Sequence, residues 1–225
     1  MNPMNQRVLS RPSTGALSTN KVVRNTFTLL SLTLLFSAAM AGMSMALNLP
    51  HPGLILTLVG YFGLLFLTHK LQNSAWGILS VFALTGFMGI TLGPILSAYI
   101  SAIPNGDQLV MTAFGGTGVI FLALSAYALT SRKDFSFMGG MLMAGILVAF
   151  LAGVGAAIFS MPGLALAVSA MFVLLMSGLI LYEVSALVHG GETNYILATV
   201  SLYVAIYNLF TSLLHLLAAF SGNND

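Results

Sequence analysis

Apolar residues fill most of the chain in long blocks, and short polar segments separate the blocks. A transmembrane helix needs about 20 consecutive apolar residues to cross about 30 Å of hydrocarbon. Seven blocks reach or approach that length, so the pattern predicts an all-α membrane protein with seven transmembrane helices. The predicted spans are residues 26–47, 53–68, 76–100, 109–130, 137–159, 163–188 and 195–220.

Turn-forming residues occupy the breaks between the predicted spans. Examples are Asn-Leu-Pro-His-Pro at 48–52, Pro-Asn-Gly-Asp at 104–107 and Gly-Gly at 190–191. The third span contains Pro94 directly after a glycine. Because proline removes a backbone donor and crowds the preceding turn, we expect a kink or a break there.

The composition supports lipid as the solvent of this chain. Hydrophobic residues make up 58% of it and charged residues only 5%, against roughly 25% charged in a typical soluble domain. The chain contains no cysteine, which excludes disulfides and thiolate metal sites. A net charge of +2 is too small to indicate nucleic-acid binding.

The distribution of Lys and Arg predicts the orientation. With seven spans, all 7 basic residues fall on one side of the membrane, which the positive-inside rule assigns to the cytoplasm. This predicts a cytoplasmic, disordered basic tail (1–25), a transmembrane domain (26–220) and a short external tail (221–225). The basic residues of the first tail either fix topology or form a handle for a cytoplasmic partner; they are Arg7, Arg11, Lys21 and Arg24.

Small and polar residues within the spans predict how the helices pack. Ala38 and Gly42 lie four apart in the first span and predict a close helix–helix contact. In the last span, polar residues recur every seven positions and fall on one narrow stripe, opposite Leu, Val, Ile and Phe. This stripe should face the bundle interior or a wet cavity, either as interhelical hydrogen bonds or as the lining of an ion or proton path. The stripe consists of Asn194, Ser201, Asn208 and His215, with Ser212 beside it.

Glu183 lies inside the sixth span, about five residues from its predicted cytoplasmic end and therefore about 7 Å deep. An acid at this depth is a candidate for proton or cation handling. Two interpretations remain open. Glu183 either hydrogen-bonds the polar stripe and holds the last two helices together, or it binds a cation or senses pH, with His189, Ser201 and Asn208 as further candidates.

Enzymatic chemistry has little support in this sequence. His189 and Glu192 are three residues apart, which is not the paired-histidine zinc motif, and no third ligand lies near them in the sequence. There is neither a second intramembrane carboxylate nor a glycine-rich phosphate loop. We therefore predict a protein that is not an enzyme and has no cofactor and no firm metal site.

Several strings resemble one family closely. HGGETNYILATVSLYVAIYNLF at 189–210 is similar to the end of the Bax inhibitor-1 (TMBIM) family, and most of all to its bacterial YccA branch. PGLILTLVG, GPILSAYI and SRKDFSFMGGMLMAGI fit the same branch, so the resemblance covers nearly the whole chain. It implies a bacterial inner-membrane protein whose seventh helix is central and is wrapped by the other six.

The resemblance also implies a partner and an alternative activity. The YccA branch modulates FtsH, a membrane-anchored ATP-dependent protease, which would take hold of the cytoplasmic tail. Other members of the family are described as pH-sensitive calcium leaks that use two aspartates. Glu183 matches the first of these positions, but Ala205 stands at the second. Because Ca²⁺ sites usually collect several oxygen ligands, the missing acid favours the protease modulator over a calcium or proton pathway.

Overall fold

A computed structural model of the chain describes residues 14–131 and 133–221, and these ranges are helical apart from short connections. Seven helices are long and apolar enough to cross a membrane, which confirms the predicted all-α fold with seven spans. The helices are α1 (Thr14–Ala46), α2 (Leu54–Leu71), α3 (Trp76–Ala102), α4 (Gly106–Ser131), α5 (Gly139–Ile158), α6 (Pro162–His189) and α7 (Tyr195–Ser221), with a 3-10 turn at Ser136–Met138 before α5.

Apart from shifts of a few residues at the helix ends, two features of the observed helices bear on the predictions. Helix α1 begins at Thr14, within the segment for which the sequence predicted a disordered tail. The sequence predicted a kink or a break at Pro94. Helix α3 continues through Pro94, so there is no break. The first half of the predicted basic tail and most of the predicted external tail lie outside the described residues.

The hairpin of α6 and α7 has clear start and stop signals. Helix α6 begins at Pro162, whose missing N–H is not needed in a first turn, and ends at Gly190, which adopts a left-handed conformation with φ 74°. Helix α7 is capped by Asn194, whose Oδ1 accepts hydrogen bonds from the amides of Ile196 (2.9 Å) and Leu197 (3.3 Å). These caps fix the position of the connection between the two helices.

Helix α7 is the most enclosed of the seven. Within its most apolar window, 56% of the residues are buried, compared with 6% for α2 and 17% for α5. It packs against α1, α3, α4 and α6, whereas α2 packs mainly on α3 and α5 mainly on α6. The central position of the last helix is therefore confirmed. Helices α2 and α5 lie mainly on the outside of this group, and side chains such as Tyr61 and Ile146 pack against the clusters that contain α7 residues.

Besides the buried apolar core, many large apolar side chains face outwards while small hydroxyl side chains are buried, unlike in a soluble protein. Ile55 and Leu174 are 80% and 75% exposed, while Thr33 and Thr85 are fully buried. Such an arrangement is stable only where the surrounding medium is apolar. Buried hydroxyls can also bond to carbonyls of their own helix, as Thr33 Oγ1 does with the carbonyl of Leu30 at 3.0 Å.

The closest helix contact is between α1 and α3, and it uses different residues from those predicted. Ala38 and Gly42 are exposed, and a Cβ added at Gly42 would meet no atom within 4 Å. The predicted seam was therefore wrong. The glycines that matter are on α3: a Cβ at Gly93 would lie 2.6 Å from both Cβ and Oγ of Ser44, and one at Gly89 would collide with the carbonyl of Ser37.

The same contact compensates for Pro94. A proline has no N–H, so the carbonyl of Ile90, four residues earlier, loses its normal helical donor. Ser44 of α1, itself fully buried, donates its hydroxyl to that carbonyl at 2.8 Å. Because Gly93 has no side chain, α1 can approach closely enough for this bond to form.

This pairing gives a double-mutant prediction. In the wild-type background, Ser44→Ala leaves the Ile90 carbonyl without a donor and should reduce the free energy of unfolding by about 1–2 kcal/mol. In a Pro94→Ala background the restored amide can bond that carbonyl, so the same substitution should cost less than half as much. Equal costs in both backgrounds, measured by unfolding in detergent micelles, would contradict the compensation.

Candidate functional site

Glu183 pairs with a serine on the neighbouring helix. Its side chain is half-buried on α6, and Ser201 of α7 donates its hydroxyl to Glu183 Oε1 at 2.6 Å. A short bond to a carboxyl oxygen is among the stronger hydrogen bonds in proteins. The acid therefore connects the last two helices, as the first interpretation of its role requires.

A second bond connects the same two helices at the other end of the bundle. His215 Nδ1 lies 2.8 Å from Ser169 Oγ, and Ser169 Oγ also bonds to the carbonyl of Ala165 at 3.0 Å. Asn208, between the two levels, donates to the carbonyl of Val204 in its own helix at 2.8 Å. The polar stripe of α7 thus faces α6 at two levels, separated by an amide that bonds within α7.

Asn194, the first residue of the stripe, has a different neighbour. Its Nδ2 lies 3.2 Å from the carbonyl of Gln72, 3.3 Å from Gln72 Oε1 and 3.1 Å from Asn73 Oδ1. Because its Oδ1 caps α7 at the same time, one side chain joins the start of α7 to the connection between α2 and α3. These two connections consequently lie at the same end of the bundle.

His189 belongs to another local group at that end. Its Nδ1 lies 2.9 Å from the carbonyl of Ser185, whose hydroxyl donates to the carbonyl of Lys133 at 3.0 Å and accepts from the amide of Phe135 at 3.1 Å. Ser185 therefore fixes the connection between α4 and α5 against α6. The Ser136 amide, at 2.8 Å from Asp134 Oδ1, lowers the pKa of the exposed Asp134, and the nearby His189 acts in the same direction.

The predicted candidate site is therefore divided. Glu183 and Ser201 are in contact, whereas His189 bonds to the carbonyl of Ser185 and Asn208 to the carbonyl of Val204. Among residues 14–131 and 133–221, no three His, Asp or Glu side chains come together in a group that could hold a metal ion. The hydrogen bonds of these residues hold the helices and the connections between them in place.

Ala205 lies in an apolar environment. It is fully buried in a cluster with Met176, Ile180 and Leu209. A carboxylate at this position would lose its hydration without a compensating partner among those side chains. The surroundings of Ala205 thus match the residue that is present, and they offer no substitute for a second acid opposite Glu183.

Sequence reasoning missed hydroxyl groups on the other side of α7, which it described as apolar. The Tyr203 hydroxyl lies 2.6 Å from Ser37 Oγ of α1 and donates to the carbonyl of Thr85 of α3 at 3.3 Å. One turn earlier, Thr199 Oγ1 lies 3.4 Å from the carbonyl of Thr26. A spacing of four between Thr199, Tyr203 and Tyr207 was the available signal, because such residues share a helix face.

The predicted basic handle is described only in part. Lys21 and Arg24 lie near the start of α1 and both are exposed. Arg7 and Arg11 lie outside the described residues. The positive charges of Lys21 and Arg24 therefore face outwards from the bundle.

Comparison with known proteins shows the family of this chain. The sequence profile described as "Inhibitor of apoptosis-promoting Bax1" matches residues 19–222, which include all seven membrane-spanning segments apart from the first few residues of α1. The chain belongs to the Bax inhibitor-1 family. This confirms the resemblance found in the sequence.

Proteins of several bacteria are similar to this chain over nearly their full lengths. A protein of Escherichia coli K12 named "Modulator of FtsH protease YccA" is 58% identical, with 92% of this chain and 94% of the relative covered. A protein of Escherichia coli O6:H1 with the same identity and coverage is named "Inner membrane protein YccA". An uncharacterized protein of Pseudomonas aeruginosa is 53% identical, with 90% and 91% covered.

These findings also confirm the predicted location. Seven apolar helices of sufficient length make this family member a multi-pass membrane protein. The location given in the name of the Escherichia coli relative agrees with the bacterial inner membrane predicted from the sequence.

The bond between Glu183 and Ser201 makes a testable contribution to stability. Ser201→Ala should reduce the free energy of unfolding in detergent micelles by about 0.5–2 kcal/mol, because a hydrogen bond between helices is lost. Glu183→Gln keeps an oxygen acceptor for Ser201 and should cost less. Ser177→Ala is the matched control on α6, since the half-buried Ser177 bonds, within the described part of the chain, only to the carbonyl of Val173 in its own helix. A loss for Ser177→Ala equal to that of Ser201→Ala would remove the interhelical bond as the cause.

Proposed function

We propose that this protein binds the membrane-anchored ATP-dependent protease FtsH in the bacterial inner membrane and inhibits it without being an enzyme itself. The observation that carries the proposal is the 58% identity to a protein named modulator of FtsH protease, over 92% of this chain. Because identity of this extent runs over almost the whole of both chains, a shared binding partner is the simplest expectation.

The exposed parts of the chain support two regions of contact. Lys21 and Arg24 present positive charge near the start of α1, where the basic tail joins the bundle. Helices α2 and α5 expose most of their apolar side chains to the membrane, including Phe66 at 71% and Met143 at 73%. The tail would engage the protease from the cytoplasm, while outer helices would meet its membrane-spanning part.

The arrangement of polar groups supports a role without chemistry on a substrate. Glu183, the acid within a span, bonds to Ser201, and His215 bonds to Ser169. Each of these pairs holds two helices of the same chain together. A catalytic group would instead need a reacting partner and an accessible position for substrate.

Co-purification tests the proposal directly. The detergent-solubilised protein, captured by a C-terminal tag, should retain FtsH, and its overexpression should slow the degradation of other FtsH substrates. Reversing both charges with Lys21→Glu and Arg24→Glu should weaken the association, because the basic handle is lost. Lys70→Glu is the matched control, as Lys70 is another exposed cation of the chain. Complete absence of FtsH from the wild-type eluate, together with unchanged degradation of its substrates, would reject the proposal.

A pH-sensitive calcium or cation leak is the alternative, and one observation favours it. Glu183 is an acid within a membrane span, and such residues often mark ion or proton pathways. Its hydrogen bond to Ser201 and the apolar surroundings of Ala205 do not supply the several oxygen ligands that Ca²⁺ usually collects.

Flux through liposomes separates the two functions. Wild type and Glu183→Gln should give equal Ca²⁺ flux between about pH 5 and pH 8, a range in which a carboxyl in a membrane can titrate. The reason is that Glu183 acts as a connection between helices in the proposed function. A pH-dependent flux in wild type that disappears in Glu183→Gln, with Ser177→Ala behaving as wild type, would establish the leak instead.

A further inference from the structure

Three residues from two helices hold α1 in the bundle, and we refer to Ser37, Ser44 and Tyr203 as the α1 lock. The Tyr203 hydroxyl lies 2.6 Å from Ser37 Oγ, a bond in which either oxygen can be the donor, and 3.3 Å from the carbonyl of Thr85. One hydroxyl of α7 is thus within hydrogen-bond distance of both α1 and α3.

The shape of the interface reinforces these bonds. Ser44 donates to the carbonyl of Ile90 at 2.8 Å, at a different level of α3 from Thr85. Gly89 and Gly93 bring the backbone of α3 so close to α1 that a single added carbon would meet Ser37 or Ser44 at less than a normal contact distance. Helix α1 therefore cannot slide along α3 without separating first. Separation breaks the bonds of the lock while their partners are in an apolar interior.

Because the α1 lock holds the first helix of the chain, it opposes extraction that starts from the N-terminal end. If the chain is pulled from its N-terminal end, α1 is the first helix to leave. It must then break the bonds of Ser37 and Ser44, and also the longer contact of 3.4 Å between the Thr26 carbonyl and Thr199 Oγ1. The bonds Glu183–Ser201 and Ser169–His215 connect α6 to α7 and do not oppose the removal of α1. Resistance to pulling is governed by the barrier to unfolding and not by overall stability.

We infer that the α1 lock sets the rate at which an ATP-dependent protease can extract this protein from the membrane by its N-terminal end. This inference rests on the proposed function and adds its mechanism. A chain that the protease holds but extracts slowly occupies the protease and excludes other substrates. The lock would thus determine whether the protein acts as an inhibitor or as an ordinary substrate.

Degradation by purified FtsH with ATP in proteoliposomes tests the inference. Tyr203→Phe keeps the aromatic ring but removes both bonds of its hydroxyl, and Ser37→Ala removes one of them. Each should shorten the half-life of the protein by about 3- to 10-fold, since a lost bond lowers the extraction barrier. Co-purification with FtsH should be unchanged, because the variants alter no exposed residue.

Two controls separate the lock from general destabilisation. Ser169→Ala removes a bond between α6 and α7, and it should leave the half-life within about 2-fold even where it lowers the melting temperature as much as Ser37→Ala does. Ser31→Ala, on the exposed side of α1, should have no effect, because Ser31 bonds only to the carbonyl of Phe27. Half-lives that follow the melting temperature for all variants, or that change for none, would overturn the inference.

Mechanical pulling keeps the inference testable if wild type fails to associate with FtsH, a result that counts against the proposed function alone. With the protein held in bicelles and pulled at its N-terminal end by magnetic tweezers, the first extension step should correspond to α1. That step should be about 3- to 10-fold faster at a fixed force in Tyr203→Phe and unchanged in Ser169→Ala. An unchanged first step in Tyr203→Phe would show that the lock does not hold α1.

Discussion

The structure depends on how helices associate in a medium that gives them no hydrophobic reason to do so. Lipid chains contact leucine as well as another helix does, so packing has to come from close backbone approach and from hydrogen bonds. Both are concentrated on α7 and on the α1–α3 pair. Tyr203 joins three helices through one hydroxyl, and Gly93 allows α1 and α3 to approach within bonding distance. The outer helices α2 and α5 need fewer close contacts and hydrogen bonds, because each packs mainly on one neighbour.

Pro94 shows how one element of the sequence constrains another that is distant in the chain. The proline removes a donor from α3, Gly93 opens a space beside it, and Ser44 of α1 supplies the missing hydrogen bond. In water a solvent molecule could satisfy the Ile90 carbonyl, but in the interior of a membrane bundle only the protein can do so. The three residues therefore act as one unit, and this unit is also part of what keeps α1 in place.

The fold could be predicted well from the sequence because apolar blocks of membrane length have few other solutions. The contacts between helices could not be predicted. The spacing and type of residues define the faces of a helix, but they do not determine which face contacts another helix and which faces the lipid. Ala38 and Gly42 have the correct spacing for a seam but face outwards, while Gly89 and Gly93 form the real one. Asn194 belongs to the predicted stripe by angle, yet it caps α7 and bonds to Gln72, which only the tertiary arrangement of the connections determines.

The role of Glu183 can be interpreted only from the sequence and the geometry together. An acid within a span suggests ion chemistry, and the resemblance to the wider family predicts that Glu183 matches one of its two acids. In this chain its hydrogen-bond partner is a serine, and the position of the second acid is filled by Ala205 among apolar side chains. A carboxylate that bonds across two helices contributes to holding them together whether or not it ever moves a proton. Hydrogen bonds of Glu183 and Tyr203 connect the central helix to α6 on one side and to α1 on the other. Slow extraction of an inhibitor by a membrane protease, as proposed above, would depend on connections of this kind.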